Sequence, residues 1–116
     1  DSVVSIYGKD SVDDRKRSVE SFQSDDRCRF LVGNPATGGY GLTLTAARHV
    51  IYFSNSYNLE VRKQSEDRAH RIGQKHKVTY IDIQVPDSID TMIISALKRK
   101  VKLSAQTLGE EVKKWL

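Results

Sequence analysis

The sequence predicts an α/β domain in which a mainly parallel sheet carries helices on both faces. Two patterns support this fold class. Short β-branched and aromatic runs alternate with longer amphipathic stretches, as in repeated strand–helix units. The run at 50–53, Val-Ile-Tyr-Phe, is apolar without interruption, which is typical of a strand buried on both faces of a parallel sheet. A chain of 116 residues can enclose one hydrophobic core, so we expect a single domain.

A helix follows the first predicted strand. The β-branched residues within 3–7 predict that strand. Asp10 or Ser11 then offers an N-cap, with Asp14 three residues beyond Ser11 in a capping-box-like arrangement. The helix is predicted over 12–23, and its apolar side is formed by Val12, Val19 and Phe22.

The remaining elements continue the alternation. Predicted strands cover 29–32, 50–53 and 78–85, a stretch of one or two helical turns covers 42–47, and longer helices begin at 59 and 89. Asn58 and Ser88 are the N-caps of the two longer helices, and Gly73 ends the first of them after residue 72. The last helix carries an apolar stripe formed by Ile89, Ile93, Leu97 and Val101.

The composition is that of a globular domain with a basic surface. Charged residues make up 29% of the chain and the formal net charge is +4, which is compatible with a polyanionic partner but does not require one. Cys28 is the only cysteine, so an internal disulfide is excluded and a reducing, intracellular setting is the simplest expectation. The histidines lack a regular metal-ligand spacing, and no apolar run is long enough to span a bilayer. We therefore expect neither a metal site nor a membrane partner.

The amino terminus predicts no targeting segment. Residues 1–4 lack the basic region that opens a signal peptide. The chain also begins without methionine, so we expect it to be a piece of a longer protein.

A glycine-rich loop, GNPATGGYGLT at 33–43, follows the second predicted strand. Since ligands bind beyond the carboxyl ends of parallel strands, this loop is expected at the functional edge of the sheet. Gly33 and Gly38 have the spacing of a P-loop, but Gly39 and Tyr40 stand where its lysine and hydroxyl residue are required. The loop is therefore not predicted to hold a triphosphate alone.

The stretch QSEDRAHRIGQ, at 64–74, places two arginines together. On a helix, about 100° per residue puts Gln64, Arg68 and Arg71 on one stripe. Paired guanidiniums suit a phosphate site, because each is permanently charged and offers a planar fork of donors. The alternative is a solvated charged face, on which neighbouring carboxylates neutralise the arginines. A separate stripe, suited to packing on the sheet, is formed by Val61, Ala69 and Ile72.

These stretches resemble sequence motifs of a known family. GGYGLTLTAARHVIYFSNSYN followed by QSEDRAHRIGQ resembles motifs V and VI of superfamily 2 helicases, and more narrowly those of the Swi/Snf-type ATPases, which are DNA translocases. RAHRIGQ is the most specific part. IYGKDSVDDRKRSVESFQ resembles the family's segment between motifs IV and V, and VTYIDIQVPDSIDTMIISALKRK resembles the strand and helix that close the second lobe. The resemblance covers almost the whole chain.

The resemblance implies the second of two RecA-like lobes that clamp ATP and step along duplex DNA. The implied fold is a three-layer RecA-like domain lacking its first strand, with 1–116 as one helicase C-terminal domain truncated at its N-terminus and 87–116 as a closing helical segment. ATP and magnesium would be bound mainly by the absent first lobe. The implied partners are double-stranded DNA and the first lobe of the same parent chain. The implied location is intracellular: the cytoplasm or nucleoid for a bacterial or phage protein, and the nucleus for a eukaryotic one.

For the nucleotide, the resemblance implies roles for residues of both motifs. Arg71 matches the family's principal arginine finger and Arg68 its companion, while Gln64 matches the glutamine that organises the interface. The motif V residues that approach the nucleotide sugar are Gly39, Gly41 and Thr43. An alternative for Thr43 is the N-cap of the short helical stretch that follows it, and the sequence leaves both open.

For DNA, the resemblance implies backbone contacts by the first half of the glycine-rich loop. Asn34 and Thr37 offer an amide and a hydroxyl to phosphates, which position a protein without reading sequence. Among the basic residues, Arg15 and Lys75 are the candidates, with an ordinary solvated surface as the alternative.

Two positions depart from the family pattern. Pro35 stands near a position where many members have Ser-Thr, and Leu59 stands where many have proline. Pro35 donates no backbone N–H, and Leu59 gives up the proline that favours a helix start. Both departures suggest a divergent branch, such as a bacterial or phage member.

The leading functional prediction is the second motor lobe of an ATP-dependent double-stranded DNA translocase, which supplies arginine fingers and DNA-backbone contacts. The alternative is a non-enzymatic module that keeps the lobe fold to bind nucleic acid or protein. A P-loop lysine and a paired-acid motif elsewhere in the intact protein would favour the motor. The isolated chain is expected to be inactive as an ATPase, because only half of a bipartite site is present.

Overall fold

The computed structural model describes residues 2–36 and 42–108. Within them lie four strands and three helices, which confirms the predicted α/β fold class. In chain order the elements are β1 (Val3–Ile6), α1 (Val12–Ser24), β2 (Phe30–Gly33), β3 (His49–Tyr52), α2 (Leu59–Asp67), β4 (Thr79–Asp82) and α3 (Ile89–Leu108).

The strands form two parallel pairs. β1 pairs with β2, and β3 pairs with β4, over all four residues of each strand. A small pocket is lined both by residues 34–36, directly after β2, and by residues 54–56, directly after β3. The carboxyl ends of the two parallel pairs therefore lie close together. We call this end of the strands, with 34–36 and 54–56, the carboxyl edge.

One face of the strand pairs is buried against helices and the other is exposed. Ile6 and Tyr52 are 3% and 5% exposed, on the side of α1 and α2. Ile51 and Phe53 lie on the opposite face of β3, because side chains alternate along a strand, and are 61% and 84% exposed. The predicted burial of 50–53 on both faces is therefore wrong, since no helix among the described residues covers the face of Ile51.

Helix α1 starts at the predicted cap. Ser11, and not Asp10, is the N-cap, since its Oγ accepts a hydrogen bond from the Asp14 backbone N–H at 3.1 Å. The half-buried apolar residues of α1 are Val19 and Phe22. Val12 is 80% exposed, so its predicted place on the apolar side is wrong. The cause is that the whole first turn, 11–14, lies in solvent.

Helix α2 is shorter than predicted. It ends at Asp67 and not at residue 72. The Arg68 carbonyl accepts a hydrogen bond from the Leu44 N–H at 2.8 Å, so a carbonyl that would continue the helix is bonded outside it. Ile72 is consequently fully exposed, and its predicted packing on the sheet is wrong. Gly73 has φ +100°, a left-handed conformation that favours glycine.

The predicted caps of the two later helices are present. Asn58 Oδ1 accepts from the Val61 N–H at 3.2 Å, and Ser88 Oγ accepts from the Asp90 N–H at 3.1 Å. The first-turn proline that Leu59 replaces is therefore not needed to define the start of α2.

Helix α3 buries the later part of its predicted stripe. Leu97 and Val101 are 0% and 4% exposed, whereas Ile89, at the start of the helix, is 57% exposed. Residues 109–116 of the predicted closing segment lie outside the described residues. In the part of the chain that the structure describes, no helix combines the length and apolar character needed to cross a membrane.

Candidate functional site

Two arginines hold the two ends of the glycine-rich loop. Arg68 Nη2 donates to the Pro35 carbonyl at 3.0 Å, and Arg71 Nη1 donates to the Leu42 carbonyl at 3.2 Å. Pro35 and Leu42 flank the segment 37–41, which lies outside the described residues and contains the predicted Thr37, Gly39 and Gly41. We call these two arginines with the two carbonyls the arginine junction. It places both predicted catalytic residues beside the loop at the carboxyl edge.

The two arginines have different surroundings. Arg68 is half-buried, and burial lowers the pKa of its guanidinium while Tyr52 opposes that shift. A guanidinium remains protonated far above neutral pH, so Arg68 stays charged at neutral pH. Arg71 is exposed. Arg68 therefore holds the loop from a half-buried position, whereas Arg71 holds it from an exposed one.

The other residues predicted to contact the nucleotide, Gln64 and Thr43, are not part of the arginine junction. Gln64 is exposed on α2 and its Nε2 donates to Glu60 Oε1 at 3.4 Å. The stripe of Gln64, Arg68 and Arg71 is not carried by one regular helix, because α2 ends before Arg68. Thr43 is exposed. Its alternative role as an N-cap is not seen, because residues 44–47 form one turn instead of the predicted helical stretch.

The predicted DNA-contacting residues lie in different surroundings. Asn34 follows β2, and its Oδ1 accepts from the Ala36 N–H at 2.9 Å, which shapes the start of the loop. Arg15 Nη2 donates to the Gly8 carbonyl at 3.1 Å and so ties α1 to the turn after β1. Lys75 is exposed, three residues past Ile72. Their contacts with DNA stay predictions.

Two glutamines that sequence reasoning gave no role fix the turn after the loop. Gln23 Nε2 donates to Thr45 Oγ1 at 3.0 Å, and Gln23 Oε1 accepts from the Ala46 N–H at 2.8 Å. Gln74 Nε2 donates to the Ala47 carbonyl at 3.1 Å. Gln74 ends the stretch RAHRIGQ, so its place in the motif could have identified it as a functional residue. The sequence contains no such signal for Gln23.

A buried ion pair joins α2 to β4. Arg62 binds Asp82 through two bonds, Nη1 to Oδ1 at 2.5 Å and Nη2 to Oδ2 at 3.2 Å, and the two side chains are only 3% and 2% exposed. Asn55 bridges them, since it accepts from Arg62 at 2.8 Å and donates to Asp82 at 2.8 Å. The guanidinium carbon lies 3.7 Å from the centre of the Tyr52 ring. This cluster fixes α2 against the carboxyl ends of β3 and β4, and so sets where the arginine junction begins.

Hydroxyl groups extend the same cluster. Ser65 Oγ donates to the Arg62 carbonyl at 2.8 Å, so the Tyr52 hydroxyl is the donor in its 2.7 Å bond to Ser65. Tyr80 donates to the Glu66 carbonyl at 3.0 Å. The sequence contains one signal for this network, the charges of Arg62 and Glu66 four residues apart, but that pattern alone is typical of a solvated helix face.

Tyr80 gives this cluster a measurable alkaline response. Burial raises the pKa of Tyr80 above its ordinary value of 10.0, with the Glu66 charge adding to the shift. In the unfolded chain the phenol ionises near pH 10, so the stability contributed by the neutral folded form is present below pH 10 and is lost as pH rises above it. Tyr80→Phe should therefore flatten the decline of unfolding free energy above pH 10, measured by urea titrations at several pH values. An unchanged alkaline decline would show that Tyr80 titrates alike in both states.

The described residues fit the half of a nucleotide site that carries arginines. They do not form a complete site. Two guanidiniums bind carbonyls on either side of segment 37–41, while the sequence has no glycine loop that ends in Lys-Ser or Lys-Thr. Among residues 2–36 and 42–108, no cluster of histidine, cysteine or acidic side chains is arranged to hold a metal ion. ATP and magnesium would need further ligands beyond these residues.

The chain matches a family model and many curated proteins. Residues 1–73 match the helicase conserved C-terminal domain. The chain is 36% identical over 107 residues to Protein CHROMATIN REMODELING 19 of Arabidopsis thaliana, and 35% identical over 106 residues to DNA annealing helicase and endonuclease ZRANB3 of Homo sapiens. These alignments cover 92% and 91% of this chain but only 14% and 10% of the relatives. The chain thus spans a small part of the proteins that it matches.

A solved structure has the same fold. The C-terminal part of the Fun30 ATPase domain matches with a TM-score of 0.76 and 30% sequence identity, covering 82% of this chain and 31% of that chain. The ATP-dependent helicase FUN30 of Saccharomyces cerevisiae (strain ATCC 204508 / S288c) is 33% identical over 100 residues, which is 86% of this chain and 9% of the relative. Sequence and fold therefore agree on the same group of relatives.

Proposed function

The chain belongs to the helicase conserved C-terminal domain family, and from that premise we propose that it is the second motor lobe of an ATP-dependent double-stranded DNA translocase. The predicted kinship with Swi/Snf-type superfamily 2 ATPases is confirmed by its relatives. The observation that supports the lobe assignment most strongly is the arginine junction. It brings two permanent positive charges to the carboxyl edge beside the glycine-rich loop, which is where ligands bind on parallel sheets.

Arg71 is proposed as the arginine finger. Bound ATP with magnesium would supply the phosphoryl group and part of the charge neutralisation. Arg71 is exposed at the carboxyl edge, so its guanidinium can approach phosphate oxygens held by a facing lobe. There it stabilises the charge that grows on those oxygens during transfer.

Arg68 is proposed as the companion arginine, which holds the glycine-rich loop in position beside Arg71. Its half-buried side chain donates to Pro35, and its own carbonyl accepts from Leu44, so it is bonded on both sides of segment 37–41. The missing N–H of Pro35 does not disturb this contact, because Pro35 takes part through its carbonyl. This arrangement also supports nucleotide contacts by Gly39, Gly41 and Thr43, with Gln64 at the facing-lobe interface.

The whole protein would contain the other parts of this motor. A first RecA-like lobe of the same parent chain would hold ATP and magnesium, and double-stranded DNA would lie across both lobes against Asn34, Thr37, Arg15 and Lys75. The intact protein would work inside the cell, where its DNA lies. Phosphate release by the intact protein with and without duplex DNA tests this function, and DNA-stimulated hydrolysis is expected. Tight DNA binding without hydrolysis would favour the non-enzymatic module instead.

Lys75 provides a test of the DNA surface. If Lys75 neutralises one DNA phosphate, Lys75→Ala should weaken duplex binding similarly for all sequences and reduce the slope of log K against log salt by about 1. Arg29→Ala removes an equal charge just before β2, where no DNA contact is predicted, and should leave the slope unchanged. Fluorescence anisotropy over a series of salt concentrations measures both. Equal changes in the two variants would show a general effect of net charge and no contact by Lys75.

A further inference from the structure

The stretch of chain that carries Arg71 is not fixed by packing. Residues 70–73 follow the end of α2 and are all exposed, and Ile72 is exposed completely. An exposed stretch gains little from apolar burial, so hydrogen bonds must offset the backbone entropy that it loses in one conformation. We call residues 70–73 the finger segment. The bonds at its two ends therefore decide where its backbone lies.

The side-chain amide of Gln74 lies across the base of the finger segment. Its Nε2 donates to the Ala69 carbonyl at 2.9 Å and to the Ala47 carbonyl at 3.1 Å. Its Oε1 accepts from the His76 backbone N–H at 3.0 Å. We call these three side-chain bonds the amide bridge. The Gln74 backbone N–H also donates to the Arg71 carbonyl at 3.0 Å, so one residue joins both ends of the segment.

The amide bridge requires the chemistry of glutamine. An amide offers two N–H donors and one carbonyl acceptor, which match the two carbonyls and the N–H that it contacts. A glutamate would place carboxylate oxygens against the carbonyls of Ala47 and Ala69, and a methionine would make none of the three bonds. Ala69 is only 2% exposed, so water has little access to its carbonyl when the donor is lost. Loss of the bridge therefore leaves a buried acceptor unsatisfied.

The bridge also ties the finger segment to the turn after the glycine-rich loop. Turn 44–47 accepts the Gln74 hydrogen bond at 3.1 Å and donates another to the Arg68 carbonyl at 2.8 Å. The turn is thus bonded to the chain before and after the finger segment. Arg71 reaches the Leu42 carbonyl at 3.2 Å from the backbone that these bonds hold.

We propose that Gln74 is a positioning residue for ATP hydrolysis. Its amide bridge fixes the backbone of the finger segment and so holds the Arg71 guanidinium where it meets the phosphate oxygens. This role rests on the proposed function, in which Arg71 is the arginine finger. Gln74 does not itself contact the nucleotide and acts through Arg71. A displacement of about 1 Å at a reacting group lowers a rate by up to about 10²-fold, so loss of the bridge should be visible in kcat.

Steady-state kinetics of the intact protein test the proposal. Gln74→Ala should lower kcat for DNA-stimulated ATP hydrolysis by about 10–100-fold and change KM for ATP by less than about threefold, because the finger acts mainly in the transition state. Gln74→Met keeps nearly the same length and volume but removes the same three bonds, so it should show a similar loss of kcat. A folded Gln74→Met protein with the wild-type kcat would overturn the proposal.

Gln23 provides a matched control, because it holds the same turn from the other side. Its amide donates to Thr45 Oγ1 at 3.0 Å and accepts from the Ala46 N–H at 2.8 Å, and these bonds reach the turn and not the finger segment. Gln23→Ala should therefore lower kcat at least about fivefold less than Gln74→Ala does. Equal losses in the two variants would show that the stability of the turn, and not the position of Arg71, sets the rate.

A double variant separates action through Arg71 from any other effect. When Arg71 is already alanine, Gln74→Ala should lower kcat by less than about twofold further. Losses that multiply would show that Gln74 acts elsewhere, and the proposal would be wrong. If Arg71→Ala is inactive while Gln74→Ala has the wild-type rate, the role of Gln74 alone is excluded. If Arg71→Ala has the wild-type rate, the proposed function fails and the role of Gln74 fails with it.

Trypsin cleavage gives a readout that does not depend on hydrolysis of ATP. Trypsin cuts after arginine, and cleavage of a native protein follows local opening of the chain. Gln74→Ala should speed cleavage between Arg71 and Ile72 by at least about fivefold, whereas Gln23→Ala should leave it within about twofold of the wild type. Mass spectrometry of the first fragments of the intact protein measures both rates. An unchanged rate in Gln74→Ala would show that the amide bridge does not fix the finger segment.

Discussion

Replacing Arg71 with alanine in the intact protein is expected to lower DNA-stimulated ATP hydrolysis by about 10³-fold or more. A guanidinium that meets growing charge on phosphoryl oxygens acts in the transition state more than in the ground state, so the loss should fall on kcat. Arg71 is exposed, so its removal should spare the fold and most of the DNA affinity. Steady-state phosphate release at saturating DNA measures the effect.

Two variants separate the arginine finger from a general loss of charge. Arg99→Ala removes an exposed arginine from α3 and should keep full activity. Arg71→Lys keeps the charge but loses the planar fork of donors, so it should recover only a small part of the rate. An intact Arg71→Ala protein that hydrolyses ATP at the wild-type rate would show that Arg71 is not the finger.

Replacing Arg62 with alanine is expected to destabilise the chain by about 3–5 kcal/mol, which is the usual result of removing one partner of a buried ion pair. The Asp82 side chain is 2% exposed, so its carboxylate would stay buried without the guanidinium that now binds both its oxygens. Urea unfolding followed by circular dichroism measures the loss.

A double variant separates charge from packing. Arg62→Met combined with Asp82→Leu removes both charges and should restore most of the stability, because apolar replacements of a buried pair are often neutral. Arg27→Ala disrupts an ion pair with Asp25 in solvent and should leave the unfolding midpoint unchanged. If the double variant is no more stable than Arg62→Ala, the pair contributes through shape and not through charge compensation.

The fold could be predicted from the sequence wherever a local pattern decides it. The caps Ser11, Asn58 and Ser88 are all present, because capping depends on a hydrogen bond within a few residues of the chain. The end of α2 was missed because the bond that ends it, from Leu44 to the Arg68 carbonyl, joins residues far apart in sequence. The same holds for Ile72, whose exposure follows from that ending.

The sequence indicates which arginines lie near the loop, while their catalytic role stays a prediction. Arg68 and Arg71 were predicted by a motif, and the structure brings both to the glycine-rich loop. The buried cluster of Arg62 and Asp82 was missed, because an arginine on a polar helix and an aspartate in a strand each look solvated by themselves. Only the packing of α2 on β4 brings the two side chains together, and the amino-acid sequence does not indicate that contact.

The central claim, that Arg71 completes a nucleotide site on a facing lobe, is tested most directly by transition-state binding. ADP with magnesium and aluminium fluoride mimics the transferred phosphoryl group, and transition-state analogues reveal interactions made only in that state. For the intact protein, Arg71→Ala should weaken binding of this analogue by about 10²-fold or more while ATP binding changes by less than about tenfold. Equal affinities of the wild type and Arg71→Ala for the analogue would contradict the claim.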